Sequence, residues 1–287
     1  MPTFEWNEDI LTFTCSEISG SLEASGPNHG IRTLASGVSG NLVHKNLFLL
    51  SLYRALTTDS LLCVPRDAEM EFTAAENGAD ILFKASEKHQ AEVLASYRIL
   101  DPNIIDFSLT LTARASFPQY ELFLSSYFEF GNTTHVYVQR PRHVKEKGGR
   151  WLSPQRNEVV EGCYLAYPRD DEAAVTRFDG RFGANYNPVQ WAVASYFAEP
   201  LAVMRYPESG VAVVMMADPE TCFCLHGCYM PDGEHDEVSS HNSTYFSLFG
   251  EDIEPGDQRT ARVRFVVAEM DESLETAIEL YKEFRNG

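Results

Sequence analysis

Alternation of apolar and polar residues is the feature that most limits what this chain can fold into. Between Ile105 and Ala113 the apolar side chains occupy the odd positions and the polar ones the even positions, as a strand with one buried face requires. Residues 92–100 form a second predicted strand, and the intervening Asp101-Pro102-Asn103 is typical of a turn. The pattern predicts an antiparallel hairpin in this part of the chain.

Short strands dominate the remainder of the sequence. Further strands are predicted at residues 8–15, 20–24, 69–74, 79–84, 120–130, 135–139, 210–216, 221–229 and 260–267. Helix is predicted only for residues 47–55 and, with a clear apolar stripe, for residues 273–284. That stripe consists of Leu274, Ala277, Ile278 and Tyr281. Because no linker and no repeat divides the chain, we expect one all-β domain over residues 1–287.

Acidic residues strongly outnumber basic ones, 42 against 23 among 287 residues, for a net charge of −19. Such a chain repels polyanions, so we expect neither nucleic acid nor an anionic membrane as a partner. The longest apolar run is too short to span a bilayer, and no basic-then-apolar leader begins the sequence. Six scattered cysteines in a chain of this size favour reduced thiols. These features together predict a cytoplasmic protein.

Signature motifs for nucleotide binding and for α/β-hydrolase chemistry are missing from the sequence. The chain contains no G-x-x-x-x-G-K-[ST], no G-x-G-x-x-G and no G-x-S-x-G pattern. Each of these motifs has a structural reason, either a backbone cradle for phosphate or a strained turn for a nucleophile. We therefore expect no cofactor.

Three short motifs are similar to those of the galactose-mutarotase-like family. The turn Pro255-Gly256 leads into the predicted strand 260–267, Ser125-Ser126-Tyr127-Phe128 resembles H-S-Y-F, and Cys224-Leu225-His226 resembles C-L-E. The order of the predicted strands over residues 92–267 is also similar. The resemblance implies an all-β fold, the galactose-mutarotase-like β-supersandwich with a C-terminal helix. It also implies a small-molecule saccharide as the ligand.

The same resemblance implies positions for acid–base chemistry on a sugar. In the family, a histidine at the position of Ser125 protonates the ring oxygen, and a glutamate at the position of His226 is the base. Histidine titrates near neutrality and can accept the same proton. The expected catalytic residues are His226 as base and Tyr127, Glu121 or a loop histidine as acid. The alternative for His226 is a packed histidine whose hydrogen bonds are satisfied.

Alternation sorts two of these predicted strands into faces. In residues 120–130 the face opposite the leucines carries Glu121, Phe123, Ser125, Tyr127 and Glu129. In residues 221–229, Phe223 and Leu225 are expected to point inward, and the opposite face to carry Cys222, Cys224, His226 and Cys228. Alternate residues of a strand lie about 7 Å apart, whereas tetrahedral zinc needs ligand atoms within about 4 Å of one another. We therefore expect no metal on this strand.

Other polar and aromatic residues are candidates for contacting a saccharide. His235 and His241 lie in an acidic segment that is either a solvated loop, a lid over the site or a place for a divalent ion. Arg142 belongs to a basic patch that either binds a carboxylate or phosphate on a sugar or pairs with neighbouring acids. The remaining candidates for substrate binding are His29, Arg54, Ser125, Arg181 and Trp191.

Three hypotheses about function follow from these residues. The first is a carbohydrate-active epimerase or isomerase that works by acid–base chemistry. The second is a noncatalytic sugar-binding protein that has lost the histidine and glutamate pair of the family. The third is a polysaccharide lyase or glycoside hydrolase, because related folds carry such chemistry, although a fold by itself does not establish a function. The sequence leaves the sugar and the oligomeric state open.

Overall fold

Strands make up most of the structure, a computed structural model that describes residues 2–25, 28–129, 132–141, 143–153, 164–183, 189–230 and 241–287. The strands are β1 (Thr3–Asn7), β2 (Ile10–Thr14), β3 (Ile18–Ser25), β4 (Asn28–Ser36), β5 (Ser39–Asn41), β6 (Ser51–Thr57), β7 (Ser60–Cys63), β8 (Met70–Ala75), β9 (Gly78–Phe83), β10 (Ala91–Leu100), β11 (Ile104–Ala113), β12 (Phe117–Phe128), β13 (Thr133–Gln139), β14 (Gly149–Leu152), β15 (Tyr164–Pro168), β16 (Ala192–Val193), β17 (Phe197–Tyr206), β18 (Val211–Ala217), β19 (Cys222–Met230), β20 (His241–Ile253) and β21 (Gln258–Glu269). The helices are α1 (Asp171–Val175), α2 (Glu275–Asn286) and a 3-10 turn at Pro65–Asp67.

These strands form three sheets. The N-terminal sheet is a meander of β1 to β5 in sequence order. The nine-stranded sheet has the order β14-β13-β17-β18-β21-β11-β10-β9-β8, and the seven-stranded sheet has the order β16-β15-β19-β20-β12-β6-β7. Every pairing in the two larger sheets is antiparallel except that of β15 with β16. The arrangement confirms the predicted all-β class.

The predicted hairpin is present as β10 and β11. The two strands pair antiparallel without a register shift, from Ala91 opposite Ala113 to Leu100 opposite Ile104. Their alternating burial follows the alternation in the sequence. Residues that face inward from this hairpin join one apolar core to which all three sheets contribute. Local sequence therefore determined both the pairing and the buried face here.

The predicted C-terminal helix is present as α2, and it covers the outer face of the nine-stranded sheet. Ala277, Tyr281 and Phe284 are its buried side chains. They pack against an apolar patch of β17, β18 and β21 that consists of Leu201, Val203, Ala212, Val214, Met216 and Val266. The helix therefore closes a second apolar cluster on the side of this sheet that faces away from the main core.

The helix predicted over residues 47–55 is not formed. Residues from Ser51 onward belong to β6, which lies between β12 and β7 in the seven-stranded sheet. Six of the seven residues of β6 are buried, so the apolar side chains do not alternate with exposed ones. A short apolar run of this kind has the same appearance in a buried strand and in a buried helix.

No helix in the part of the chain that the structure describes is long and apolar enough to cross a membrane. Five cysteines lie among the described residues, and all five are free thiols. Cys222, Cys224 and Cys228 are buried in β19, and Cys15 and Cys63 are partly buried. The predicted reduced state agrees with these five positions.

Candidate functional site

The outer face of the seven-stranded sheet, which faces away from the main core, brings several predicted site residues together. On β12 this face carries Glu121, Phe123, Ser125 and Tyr127, while Leu122, Leu124 and Phe128 enter the main core. Across the sheet, Ser125 lies opposite Tyr245 of β20, and Tyr245 lies opposite His226 of β19. The face sorting predicted for β12 is therefore observed, and His226 lies on the same face.

Strand β19 departs from the prediction at its start. A register shift between Cys222 and Cys224 interrupts the pairing with β20, so the face of each residue before the bulge is reversed. Cys222 enters the main core, and Phe223 lies on the outer face instead of pointing inward. Gly250 leaves the space for this ring, because a Cβ at that glycine would lie 2.6 Å from Phe223. The four residues of the Cys-x-Cys-x-His-x-Cys pattern therefore do not share one face.

One segment, residues 169–183 together with 189–191, lies over this outer face, and we call it the covering segment. It begins with the short helix α1, whose N-cap Asp170 accepts a hydrogen bond from the backbone N–H of Ala173. A turn at Gly180, with φ of 94°, passes close to Asp59. A Cβ added at this glycine would lie only 2.8 Å from the Asp59 carboxylate. The segment thereby places Arg177, Arg181 and Trp191 against the sheet.

A buried ion cluster connects the covering segment to the sheet. Arg177 donates two hydrogen bonds to the Glu121 carboxylate, at 3.1 Å to Oε1 and 2.7 Å to Oε2. Arg181 donates to Oε2 of the same carboxylate at 2.8 Å and also pairs with Asp179. Ser247 of β20 donates to Oε1. The side chains of Glu121, Arg177 and Arg181 are completely buried.

The electrostatics of this cluster keep Glu121 ionised. Burial alone would raise the pKa of the carboxyl, but the charges of Arg177 and Arg181 and the hydrogen bond from Arg177 outweigh burial. The result is a pKa lowered from 4.5 to about 2. Both carboxylate oxygens are also occupied by hydrogen-bond donors. At neutral pH Glu121 is therefore a fully paired anion without a proton to donate.

His226 lies in an aromatic cage beside this cluster. Its ring centroid is 4.4 Å from that of Trp191, 5.0 Å from Phe123 and 6.3 Å from Phe182. Arg177 Nη1 lies 2.9 Å from His226 Nε2. Since a guanidinium can only donate, Nε2 accepts this bond and the proton of the neutral ring is on Nδ1. Burial and then the charge of Arg177 lower the pKa of His226 well below 6.5.

Two buried donors of this cage have no acceptor among the described residues. They are the Nδ1–H of His226 and the indole Nε1–H of Trp191. Both side chains are at least 98% buried. A buried donor without a partner costs about 1–3 kcal/mol, so such groups in a native structure require an explanation.

A cluster of tyrosines and arginines lies at the edge of the same face. The guanidinium carbon of Arg66 lies 4.8 Å from the ring centroid of Tyr53 and 5.7 Å from that of Tyr127. Arg54 lies 4.7 Å from the centroid of the same Tyr53 ring. Ser125 donates to the backbone oxygen of Ser51 and lies 3.4 Å from Arg66 Nη2. Tyr53 and Arg66 are only partly buried, so this edge is reached from solvent.

The other predicted site residues are not brought to this face by the described structure. His29, on β4 of the N-terminal sheet, accepts the backbone N–H of Leu52 at 2.7 Å and packs on Phe83 in the core. Burial and the charge of Arg66 lower the pKa of His29 to about 3. Arg142 and His235 lie outside the described residues, as does the side chain of His241. Within the described part of the chain, no three His, Cys, Asp or Glu side chains are grouped to hold a metal ion.

Sequence reasoning did not identify Arg177 and Arg66, although both contact predicted site residues. A signal for Arg177 was present, because a glutamate on an otherwise apolar buried strand requires a cation to neutralise it. Arg177 and Arg181 both lie in a segment for which neither a strand nor a helix was predicted. No comparable signal marks Arg66, which lies in the 3-10 turn Pro65–Asp67 that follows the short strand β7.

Comparison with solved structures shows the fold. A GalM/aldose epimerase homologue from C. elegans superposes with a TM-score of 0.58 at 10% identity, covering 94% of this chain and 100% of that one. A galactose 1-epimerase from Lactobacillus acidophilus gives 0.50 at 10% identity, covering 94% and 99%. A TPR-domain containing protein from Parabacteroides distasonis gives 0.52 at 8% identity, covering 93% and 48%.

The sequence itself matches no protein-family model and no curated protein. The structural similarity nevertheless extends over almost the whole chain. It establishes that the chain has the galactose-mutarotase-like β-supersandwich fold, as the short motifs predicted. The low identity marks the chain as a divergent example of that fold.

Proposed function

We propose that the outer face of the seven-stranded sheet binds a saccharide and that this chain is a carbohydrate-binding protein without mutarotase activity. The observation that carries the proposal is the pair of buried donors on His226 and Trp191, which have no acceptor among the described residues. Sugars supply hydroxyl oxygens as acceptors and apolar ring faces that pack on aromatic side chains. Binding sites of this kind combine an apolar lining with a few fixed polar groups.

The fold supports a carbohydrate ligand by analogy. Two proteins of similar structure are named for aldose or galactose epimerisation. Because one fold serves several functions, this similarity raises the expectation of a sugar without identifying the reaction. The chemistry of the residues on the outer face therefore has to distinguish a binding protein from an enzyme.

The titratable groups of the face favour binding over acid–base catalysis. General acids and bases work best when their pKa lies near the working pH. Hydrogen bonds and the two arginines hold Glu121 ionised, with a pKa of about 2, and the acceptor nitrogen of His226 is occupied by Arg177. Burial raises the pKa of Tyr127. Ser125, at the position of the family's acid, donates its proton to a backbone oxygen.

An epimerase is the second candidate, and one observation favours it. Glu121, Tyr127 and His226 lie on the same sheet face, where the resemblance places an acid and a base. For His226 to act as a base, Nε2 must first lose its hydrogen bond from Arg177. The epimerase therefore requires displacement of Arg177 from Nε2, whereas the Nδ1–H of His226 already has no acceptor among the described residues.

Removal of a single donor tests the binding proposal. Replacing Trp191 by Phe deletes the Nε1–H and retains an aromatic ring. One neutral hydrogen bond contributes about 0.5–1.5 kcal/mol, so we expect the affinity for a bound sugar to fall about twofold to twelvefold. Titration calorimetry with a panel of neutral and acidic monosaccharides and oligosaccharides provides the measurement.

Trp6→Phe is the matched control, because Trp6 is 38% exposed on the N-terminal sheet and its loss should leave the affinity unchanged. Absence of binding across the whole panel contradicts the proposal. Polarimetry of freshly dissolved α-glucose and α-galactose separates the two candidates. Rapid mutarotation by the wild type that is abolished by His226→Ala would establish the epimerase in place of the binding protein.

A further inference from the structure

We infer that the saccharide bound at this face carries a negatively charged group, a carboxylate, sulfate or phosphate, and that Arg66 binds it. The inference rests on the proposed function, because it concerns the same face. It adds the chemical class of the ligand, for which a net charge of −19 would otherwise predict an uncharged molecule.

Arg66 is held in place by aromatic rings and has no counter-ion in the part of the chain that the structure describes. Its guanidinium packs on Tyr53 and Tyr127. Among the described residues no carboxylate lies within 4 Å of it, and its Nε–H is buried without an acceptor. Its hydrogen bond to Ser125 Oγ is long at 3.4 Å, and it also bonds to the Tyr127 side chain. A planar donor fixed in this way, with unused N–H groups, is suited to a carboxylate, sulfate or phosphate.

The contrast with the buried arginines of the same face is informative. Arg177 and Arg181 both bond to Glu121, and Arg181 also bonds to Asp179. The chain therefore supplies carboxylates where its own structure requires charge neutralisation. Arg66 has aromatic support in the place of a carboxylate, which positions the cation without neutralising it.

A second guanidinium, that of Arg54, contacts the same Tyr53 ring, with its guanidinium carbon 4.7 Å from the centroid. At physiological ionic strength the screening length is about 8 Å. Salt therefore weakens the repulsion between a bound anion and the distant acidic surface more than it weakens a direct contact with Arg66.

Aromatic contacts connect Arg66 to the two donors of the proposed saccharide site. The ring centroids of Tyr127 and Tyr245 lie 5.8 Å apart, and those of Tyr245 and Trp191 lie 5.7 Å apart. Tyr164, which is partly buried, packs edge-on against Trp191 at 5.2 Å. One ligand that spans this short aromatic path contacts both the cage around His226 and the guanidinium of Arg66.

Matched pairs of sugars test the inference by calorimetry. The probes are galactose with galacturonate, glucose with glucuronate, and, as further arms, galactose 6-sulfate and glucose 6-phosphate. We expect at least one charged sugar to bind about tenfold or more tightly than its neutral counterpart. The arm with the highest affinity identifies whether the anion is a carboxylate, a sulfate or a phosphate.

Substitutions of Arg66 assign the effect to this residue. Arg66→Gln should lower the affinity for the charged sugar about 10- to 100-fold and leave that for the neutral sugar within about twofold. Arg66→Lys should give an intermediate loss, because lysine keeps the charge and loses the planar fork. Arg114→Gln is the control, since Arg114 is exposed and pairs with Glu92 on the nine-stranded sheet.

The outcomes separate this inference from the proposed function. If neutral and charged sugars bind equally and Trp191→Phe still weakens both, the inference is wrong and the saccharide site stands. If no sugar binds, both are wrong. If Arg66→Gln does not fold, as judged by circular dichroism, Arg66→Lys decides. A loss confined to charged sugars then supports the inference, and an unchanged affinity overturns it.

Discussion

The two large sheets each have an outer face that another part of the chain covers, and the two covers differ in chemistry. Over the nine-stranded sheet, α2 packs apolar side chains such as Ala277 and Phe284 onto an apolar patch. Over the seven-stranded sheet, the covering segment buries Arg177 and Arg181 against Glu121. Apolar burial stabilises a fold directly. In a buried ion cluster, a large desolvation cost offsets the Coulomb attraction between the charges. The difference indicates that α2 serves stability, whereas the other cover forms part of the candidate site.

Removing Glu121 is the strongest way to test this comparison. In Glu121→Ala, two buried guanidiniums lose their shared carboxylate, and we expect the free energy of unfolding to fall by about 3–5 kcal/mol. Urea denaturation followed by circular dichroism provides the measurement. Asp106→Ala is the matched control, because Asp106 also bonds to both arms of an arginine, Arg264, with side chains that remain 26–32% exposed. We expect a loss below about 1 kcal/mol for that variant. Equal losses in the two variants would show that burial of the cluster has no special role.

Truncating one buried side chain of α2 tests the other half of the comparison. Phe284 is 4% exposed and packs in the apolar cluster on the nine-stranded sheet. Phe284→Ala should lower the free energy of unfolding by about 3 kcal/mol through lost burial and a residual cavity. Saccharide affinity, measured in the folded variant by calorimetry, should not change. A selective loss of affinity at unchanged stability would assign α2 to the site and remove the contrast between the two faces.

Lowering the pH provides a third test, in which the free energy of unfolding changes gradually and by a smaller amount. The pKa of Glu121 is lowered from 4.5 to about 2 by its arginine partners. The folded state thus holds this carboxylate ionised where the unfolded state binds a proton. Its contribution to stability is complete above pH 4.5 and is lost as the pH falls toward 2, with about 2 kcal/mol lost at pH 3.

The measurement is the free energy of unfolding between pH 7 and pH 3, compared between the wild type and Glu121→Gln. Other carboxylates with a lowered pKa, such as Asp80 and Asp170, titrate in the same window. The difference between the two pH profiles therefore isolates Glu121. Parallel profiles would mean that the carboxylate is not selectively stabilised in its ionised form.

Sequence reasoning succeeded where structure is local and failed where it depends on distant partners. Strict alternation predicted the hairpin of β10 and β11 and the two faces of β12, because a strand with one buried face shows its orientation directly in the sequence. The bulge in β19 has no such signal. One unpaired residue there reverses the faces of Cys222 and Phe223, and the neighbouring glycine that accommodates it, Gly250, lies on another strand.

The candidate site was predicted in part for the same reason. Glu121, Tyr127 and His226 were identified by motif and by face. Arg177 was missed, although it determines the tautomer of His226 and the charge state of Glu121. Its contacts depend on how an irregular segment returns across the sheet, which neither periodicity nor turn chemistry specifies.

The contacts of Arg177 also constrain the order in which the molecule can assemble. Its partners Glu121, His226 and Ser247 belong to three neighbouring strands and lie 56, 49 and 70 residues away along the chain. Closing loops of this length costs conformational entropy before any contact is gained. The guanidinium can complete its bonds only after β12, β19 and β20 have associated. The candidate site is therefore a late product of folding, and a folding intermediate that lacks any one of these strands cannot form all the bonds of Arg177.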